Sequence, residues 1–354
     1  MQDKTRTVVD SLPTIHRCRT RGGDEISWAA AGTHRPAVLV LGGWITHAGL
    51  DWVSGPSARF LHRLAGRRRL LRFDFPGSGL SPAADGGLTL DTAVEAAEAV
   101  VRASGETSVA VLSYGFADQV AIALAARRPE LVSHLILMGD PAAVLGSRTE
   151  HDSLLDAARS LIRANWRLGA IAMAGILAPS ASARRAAAYA DHQQACASNE
   201  TAEAMLQGMR EHDAGQLMLA VTAPTLVVRP DDAVPTEVWP AIGSAPSLRR
   251  EVRISVEDRV PFFGACDAVV DAVCSFTDTG QAQLTLREQA VLRELGYGHT
   301  NRKVARRLGI SEHTAAKHVS NLLRKLEVSN RCAAVVRGQQ LGLTTAFVDP
   351  QGSR

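Results

Sequence analysis

The sequence predicts an α/β domain with a doubly wound, mostly parallel sheet, followed by a small all-α domain. Three observations predict it. Short apolar runs alternate with helical stretches over the first 280 residues, the pattern of parallel strands covered on both faces. The last seventy residues change to apolar positions at helical spacing. Charge divides at the same place: residues 281–354 hold 12 Lys and Arg against 5 Asp and Glu, a surplus of seven. The whole chain is +3, which leaves residues 1–280 at about −4. At 354 residues the chain is long enough for two domains.

The elements follow in order. Five strand-like runs are expected at 37–41, 70–73, 109–112, 135–138 and 225–228, each rich in Val, Leu, Ile or Phe. Helical stretches lie between them, as at 90–103 and 117–126. An insert at 142–216 separates the fourth run from the fifth. It reads as four helices, about 154–164, 168–177, 181–189 and 202–211, rich in Ala, Met and Leu. Met173, Met205, Met209, Met218 and Trp166 within or beside it read first as core residues. A linker is expected at 277–283, around Thr277-Asp278-Thr279-Gly280-Gln281. Beyond it, a helix at 301–308 and a Gly309 turn lead to a longer helix capped by Ser311. That helix carries an apolar stripe of Ala315, Val319, Leu322, Leu323 and Leu326. A last helix is expected at about 330–340.

Composition excludes several classes. Hydrophobic residues make up 46%, ordinary for a globular protein. The five cysteines, Cys18, Cys196, Cys266, Cys274 and Cys332, are odd in number and scattered. They form neither a disulfide framework nor a metal knuckle, and a reducing cytoplasm is the expected compartment. The N-terminus lacks a secretory apolar run. The longest apolar stretch, roughly 169–179, is shorter than the about 20 residues a bilayer requires. No membrane association, metal or cofactor is expected.

The segment Asp74-Phe75-Pro76-Gly77-Ser78-Gly79-Leu80-Ser81 resembles the Asp-x-x-Gly-x-Gly-x-Ser loop of the α/β-hydrolase family. Gly42-Gly43-Trp44 resembles its oxyanion-loop region. Pro224-Thr225-Leu226-Val227-Val228 with Asp231 and Asp232 resembles the strand and loop carrying its acidic residue. The resemblance covers about residues 25–276 and implies that the insert is a helical cap over a pocket. It implies a ligand pocket bordered by Gly43, Trp44, Tyr114, Gly115, Phe116, Trp166, Asp231 and Arg259.

Hydrolases of this fold place a nucleophile on a sharp strand-to-helix turn, with an acid and a histidine. Two alignments of that turn stay open. One takes Ser113 as the nucleophile, with bulky Val111 where a small residue belongs. The other counts back about 14 residues from Pro129 and puts Gly115 in the slot, keeping Ser113 and Ala117 as small flanking residues. The histidine position reads Arg259, in Arg259-Val260-Pro261-Phe262. Arginine stays protonated and cannot act as the general base for a serine. Of the triad, the acid at Asp231 or Asp232 is retained. Arg259 is expected either to pair with these acids or to clamp a ligand carboxylate or lactone oxygen. The expected domain, residues 1–276, is thus a sensor of hydrolase ancestry that binds a small molecule without hydrolysing it; the alternatives are a working serine hydrolase, or a constitutive regulator whose hydrolase-like domain mediates dimerisation or protein docking.

The segments Leu284-Thr285-Leu286-Arg287-Glu288, Thr300-Asn301-Arg302-Lys303-Val304-Ala305 and Ile310-Ser311-Glu312-His313-Thr314 stand in one order with Asn321-Leu322-Leu323-Arg324-Lys325-Leu326. Together they resemble the helix-turn-helix domain of LuxR-type transcription factors over about 284–343, and a DNA-binding domain is expected at 284–346. The polar side of the long helix carries His313, Lys317, Ser320, Asn321 and Arg324, at offsets that share one face. Such a face suits the major groove of DNA. The resemblance implies DNA contacts from Thr300, Asn301, Arg302, Ser311, His313, Thr314, Lys317, His318, Asn321, Arg324 and Lys325. It also implies double-stranded promoter DNA as partner, with a homodimer formed through the last helix. Ala316 departs from the family, which has Lys in that slot. The length of the N-terminal part and the absence of a phosphoacceptor pattern disfavour a receiver domain.

Overall fold

The structure, a computed structural model, describes residues 13–54, 57–85, 87–115, 117–139, 148–178, 180–210, 216–230, 245, 247–255, 265–278, 286–326 and 328–340. The chain divides into two compact units, residues 1–274 and 275–354.

The first unit is built on an eight-stranded sheet. Its strands are β1 (Thr14–Arg19), β2 (Glu25–Ala31), β3 (Ala37–Leu41), β4 (Arg69–Phe73), β5 (Val109–Tyr114), β6 (Val132–Met138), β7 (Thr225–Pro230) and β8 (Leu248–Ile254). They lie in the order β1-β2-β4-β3-β5-β6-β7-β8. β1 and β2 form an antiparallel ribbon, and β2 pairs antiparallel with β4. Every other pair is parallel. The central strands β3 and β5 are buried throughout, which is why they read as continuous apolar runs.

The five expected strands are present, and three more join them. β1 and β8 are the two edges of the sheet. Their sequences, Thr-Ile-His-Arg-Cys-Arg and Leu-Arg-Arg-Glu-Val-Arg-Ile, are charged, as edge strands must be to resist pairing with other chains. An apolar-run criterion therefore passes over them. The helices α1 (Ala58–Ala65), α2 (Leu90–Ala103) and α3 (Ala117–Arg127) connect the strands. α2 starts with a capping box, Thr89 accepting from the Thr92 N–H and Thr92 Oγ1 from the Thr89 N–H. Its face of Ala93, Ala96, Ala97, Val100 and Val101 is buried in the core.

The insert after β6 is helical: α4 (Arg148–Ala164), α5 (Trp166–Leu177), α6 (Ala183–Cys196) and α7 (Asn199–Arg210). These four match the expected cap helices but run longer at several ends. Asn165 and Ser182 account for two of the starts, each accepting from a backbone N–H three residues on. α8 (Cys266–Asp278) takes up Thr277 and Asp278, which the sequence reading had placed in the linker. The remaining linker residues, 279–283, lie outside the described residues.

The second unit holds α9 (Leu286–Gly296), α10 (Asn301–Leu308), α11 (Glu312–Lys325) and α12 (Arg331–Gln340). Val291, Leu292, Leu295, Val304, Ala305, Ala315, Val319, Leu322, Leu326 and Ala334 form its core. α10 ends at Gly309 in the left-handed conformation. Ser311 then caps α11, accepting from the Thr314 N–H at 3.0 Å.

Candidate functional site

The carboxyl ends of β3, β4 and β5 meet the cap, the place where open α/β sheets bind ligands. After β3 the chain makes Gly42-Gly43-Trp44. A Cβ on Gly42 would lie 2.3 Å from the Arg72 guanidinium, so a larger residue there would have to displace that side chain from its pairing with Asp51. A Cβ on Gly43 would come within 3.3 Å of the Tyr114 ring. Trp44 is buried and meets Trp166 of α5 edge to face, with centroids 6.0 Å apart. Trp166 Nε1 donates to the Ala197 carbonyl. Gly43, Trp44, Tyr114, Gly115 and Trp166 are thus brought into one neighbourhood of strand ends and cap. Phe116, Asp231, Asp232 and Arg259 lie outside the described residues.

The turn from β5 to α3 places Gly115 at φ +62°, a backbone region that glycine adopts freely and other L residues enter at a cost. Ser113, two residues earlier, is the penultimate residue of β5 and is fully buried. Its hydroxyl donates to Asp118 Oδ1 at 2.5 Å. Burial pushes the Asp118 carboxyl up to about 8, against the opposing pull of the Ser113 bond. The Ser113 oxygen therefore faces the first turn of α3 and an acid held in its neutral form.

A buried polar cluster, which no sequence motif indicated, sits beside this turn. Arg72 of β4 and Asp51 of the turn Leu50–Trp52 form an ion pair through both Nε, at 2.6 Å, and Nη2. The other Asp51 oxygen meets His192 Nε2 of α6 at 2.9 Å. Cys196, one turn further on α6, lies 3.5 Å from the same nitrogen. Burial raises the Asp51 carboxyl, but Arg72 and His192 outweigh it and hold the group below the ordinary carboxylate range. Burial drives the Cys196 thiol well up, and likewise the Tyr114 and Tyr189 hydroxyls. Two signals of this cluster were in the sequence: a lone arginine inside the run Leu70-Leu71-Arg72-Phe73, and His192 and Cys196 spaced four apart on one helix face. Asp74 supports the neighbouring loop, accepting from the N–H groups of Leu80 and Ala48. The Gly79 N–H donates to the Cys196 carbonyl at 2.7 Å, which fastens this loop to the end of α6.

In the second unit, α10, the Gly309 turn and α11 form a helix-turn-helix. Arg302, Ser311, His313, Lys317 and Arg324 are exposed, and Thr314, His318 and Asn321 are half-buried. Thr300 caps α10, accepting from the Lys303 N–H. Asn301 accepts from Arg331 at 3.2 Å. Lys325 is half-buried, and its ammonium pairs with the buried Glu288 at 2.6 Å, tying α11 to α9. Lys303 and Arg306 are exposed beside Arg302, two cations the sequence reading passed over. Arg307 pairs with Glu294 at 2.8 Å.

Among the described residues no helix is long and apolar enough to cross a membrane. Residues 282–337 match the family described as bacterial regulatory proteins, luxR family. A transcriptional regulatory protein of Bacillus subtilis, YhcZ, is 52% identical over 54 residues, 15% of this chain and 25% of that protein. The nitrate/nitrite response regulator protein NarP of Escherichia coli is 51% identical over 53 residues, 15% of this chain and 25% of its own length. The chain thus spans about a quarter of these curated relatives. The N-terminal part is similar in fold to the esterase EaEST of Exiguobacterium antarcticum, with a TM-score of 0.62 and 17% identity, covering 75% of this chain and 100% of that one. Residues 282–337 are therefore a domain of the luxR family of bacterial regulatory proteins, carried behind a domain with the α/β-hydrolase fold.

Proposed function

We propose that the chain is a one-component transcription regulator: the α/β domain, residues 1–276, holds a small-molecule effector between sheet and cap without hydrolysing it, and residues 284–346 bind promoter DNA. The observation that carries the non-hydrolytic reading is the turn after β5. It has glycine at the position of positive φ, and the hydroxyl of Ser113, two residues earlier, is buried against a neutral acid. A serine nucleophile needs an exposed oxygen and a base within reach. The retained cap and strand-end glycines support a pocket kept for binding. The exposed cations and polar groups of α10 and α11 support a DNA-reading face, with phosphates contacted by Arg302, Lys303 and Lys317 and base edges by residues such as Asn321. A homodimer on two half-sites about one helical turn apart is the expected assembly, in the cytoplasm.

Two measurements test this reading. Sequences selected by the full chain from random duplex DNA are expected to converge on one inverted repeat, and fractions of an extract of its own culture to shift that affinity. Failure to enrich any sequence would refute the DNA-binding part. A fluorophosphonate probe is expected to leave the native chain unlabelled; stoichiometric labelling at Ser113 would replace the sensor by an active hydrolase.

A further inference from the structure

The cluster between the cap and the strand ends has the composition and shape of a metal site. Asp51, His192 and Cys196 each offer one ligand atom, all buried, and these atoms lie within 4.8 Å of one another. His192 Nε2 is 2.9 Å from Asp51 Oδ1 and 3.5 Å from Cys196 Sγ. Ligands at ordinary zinc distances in a tetrahedron stand about 3.3–3.6 Å apart, so small shifts suffice to bring all three onto one ion. His192 and Cys196 project from the same face of α6, four residues apart, and Asp51 comes from the turn after β3. The set therefore joins the cap to the sheet domain.

The surroundings support the donors. Arg72 holds Oδ2 of Asp51 through two bonds and leaves Oδ1 directed at His192, the kind of outer partner that orients a ligating carboxylate. Imidazole, thiolate and carboxylate together suit a borderline cation, zinc above the hard oxygen-seeking ions. Three protein ligands leave a fourth position for a solvent or ligand oxygen.

We propose that Asp51, His192 and Cys196 bind one zinc-class divalent cation, which staples the cap helix α6 to the turn after β3. Cys196 binds as the thiolate, and its proton leaves to solvent as the ion enters. Asp51 remains shared between the ion and Arg72. Neither the hydrolase-like turn nor the DNA-binding domain is needed for this site, so the proposal stands independently of the regulatory function.

The test uses the full chain, stripped with a chelator and titrated with Co2+ alone, then competed with Zn2+. One equivalent is expected to produce the visible bands of four-coordinate cobalt together with a thiolate-to-cobalt charge-transfer band. His192→Gln and Cys196→Ser are each expected to weaken binding by roughly 100-fold or more, the upper end of what loss of even a supporting residue does, while Cys332→Ser leaves it unchanged. Absence of the thiolate band on the unmodified chain would overturn the proposal without any variant having to fold. Binding that survives both substitutions in chains that still melt cooperatively would overturn it equally.

Discussion

Replacing Asp118 by asparagine tests the turn chemistry directly. Asp118 is fully buried, bonded only through Oδ1 to Ser113, and its second oxygen has no partner among the described residues. Its carboxyl titrates at about 8 in the folded protein, against about 3.9 in an unfolded chain. Because the folded value is the higher one, the native state holds a proton that the unfolded state releases. The group's stabilising contribution is then complete below about pH 4, declines as pH rises, and is gone above about 8. The slope over that window is about 1.4 kcal/mol per pH unit, which accumulates to roughly 5 kcal/mol. Asparagine keeps the shape and the acceptor for Ser113. Its amide replaces an acid hydroxyl that is equally unpartnered, and it has no proton to lose. Urea unfolding from pH 4 to 8 measures the difference. All five tryptophans precede residue 275, so their fluorescence reports the α/β domain alone. Wild type and Asp118→Asn are expected to be near equal at pH 4, with the variant several kcal/mol more stable at pH 8. Parallel curves would refute a neutral buried acid beneath Ser113.

Other substitutions separate local roles. Gly115→Ala is expected to lower stability by about 1–2 kcal/mol, from backbone strain alone, because a Cβ there meets nothing within 4 Å; an unchanged melting curve would show that the turn does not hold its positive φ. Ser311→Ala is expected to destabilise the C-terminal domain by about 1 kcal/mol through loss of the cap, read by far-ultraviolet dichroism of the isolated thermal transition. Lys317→Ala and Lys325→Ala should part company. The first is expected to reduce the slope of log K against log salt by about 0.9. The second leaves that slope intact and lowers domain stability by about 1–3 kcal/mol, because Glu288 stays buried without its cation. A Lys325→Ala chain with normal stability and a reduced salt slope would restore Lys325 to the DNA face.

The central strands and three of the four helices of the small domain were legible in the sequence because their burial is written in local periodicity; α9 (Leu286–Gly296) was not read as a helix. β3 and β5 are buried on both faces and read as unbroken apolar runs. Ser311, Gly309 and the stripe from Ala315 to Leu326 mark α11 by cap, stop and spacing. The charge surplus of residues 281–354 needed only counting.

Other features required the tertiary structure, because they depend on which distant segments meet. β1 and β8 are edge strands whose charges hide them from any apolar criterion. Lys325 gains an ion-pair partner that the sequence does not reveal, because α9 brings the buried Glu288 against it from 37 residues away. Ser113 and Gly115 compete for the same slot in an alignment; backbone conformation and burial assign them different places, one inside the strand and one at the turn. The Asp51–Arg72–His192–Cys196 cluster is the clearest case. Its members come from a loop, a strand and a cap helix, with 141 residues between Asp51 and His192. A buried charge becomes tolerable only when a partner is folded against it, so the sequence alone determined which polar groups exist, and the packing of cap on sheet decided which of them meet.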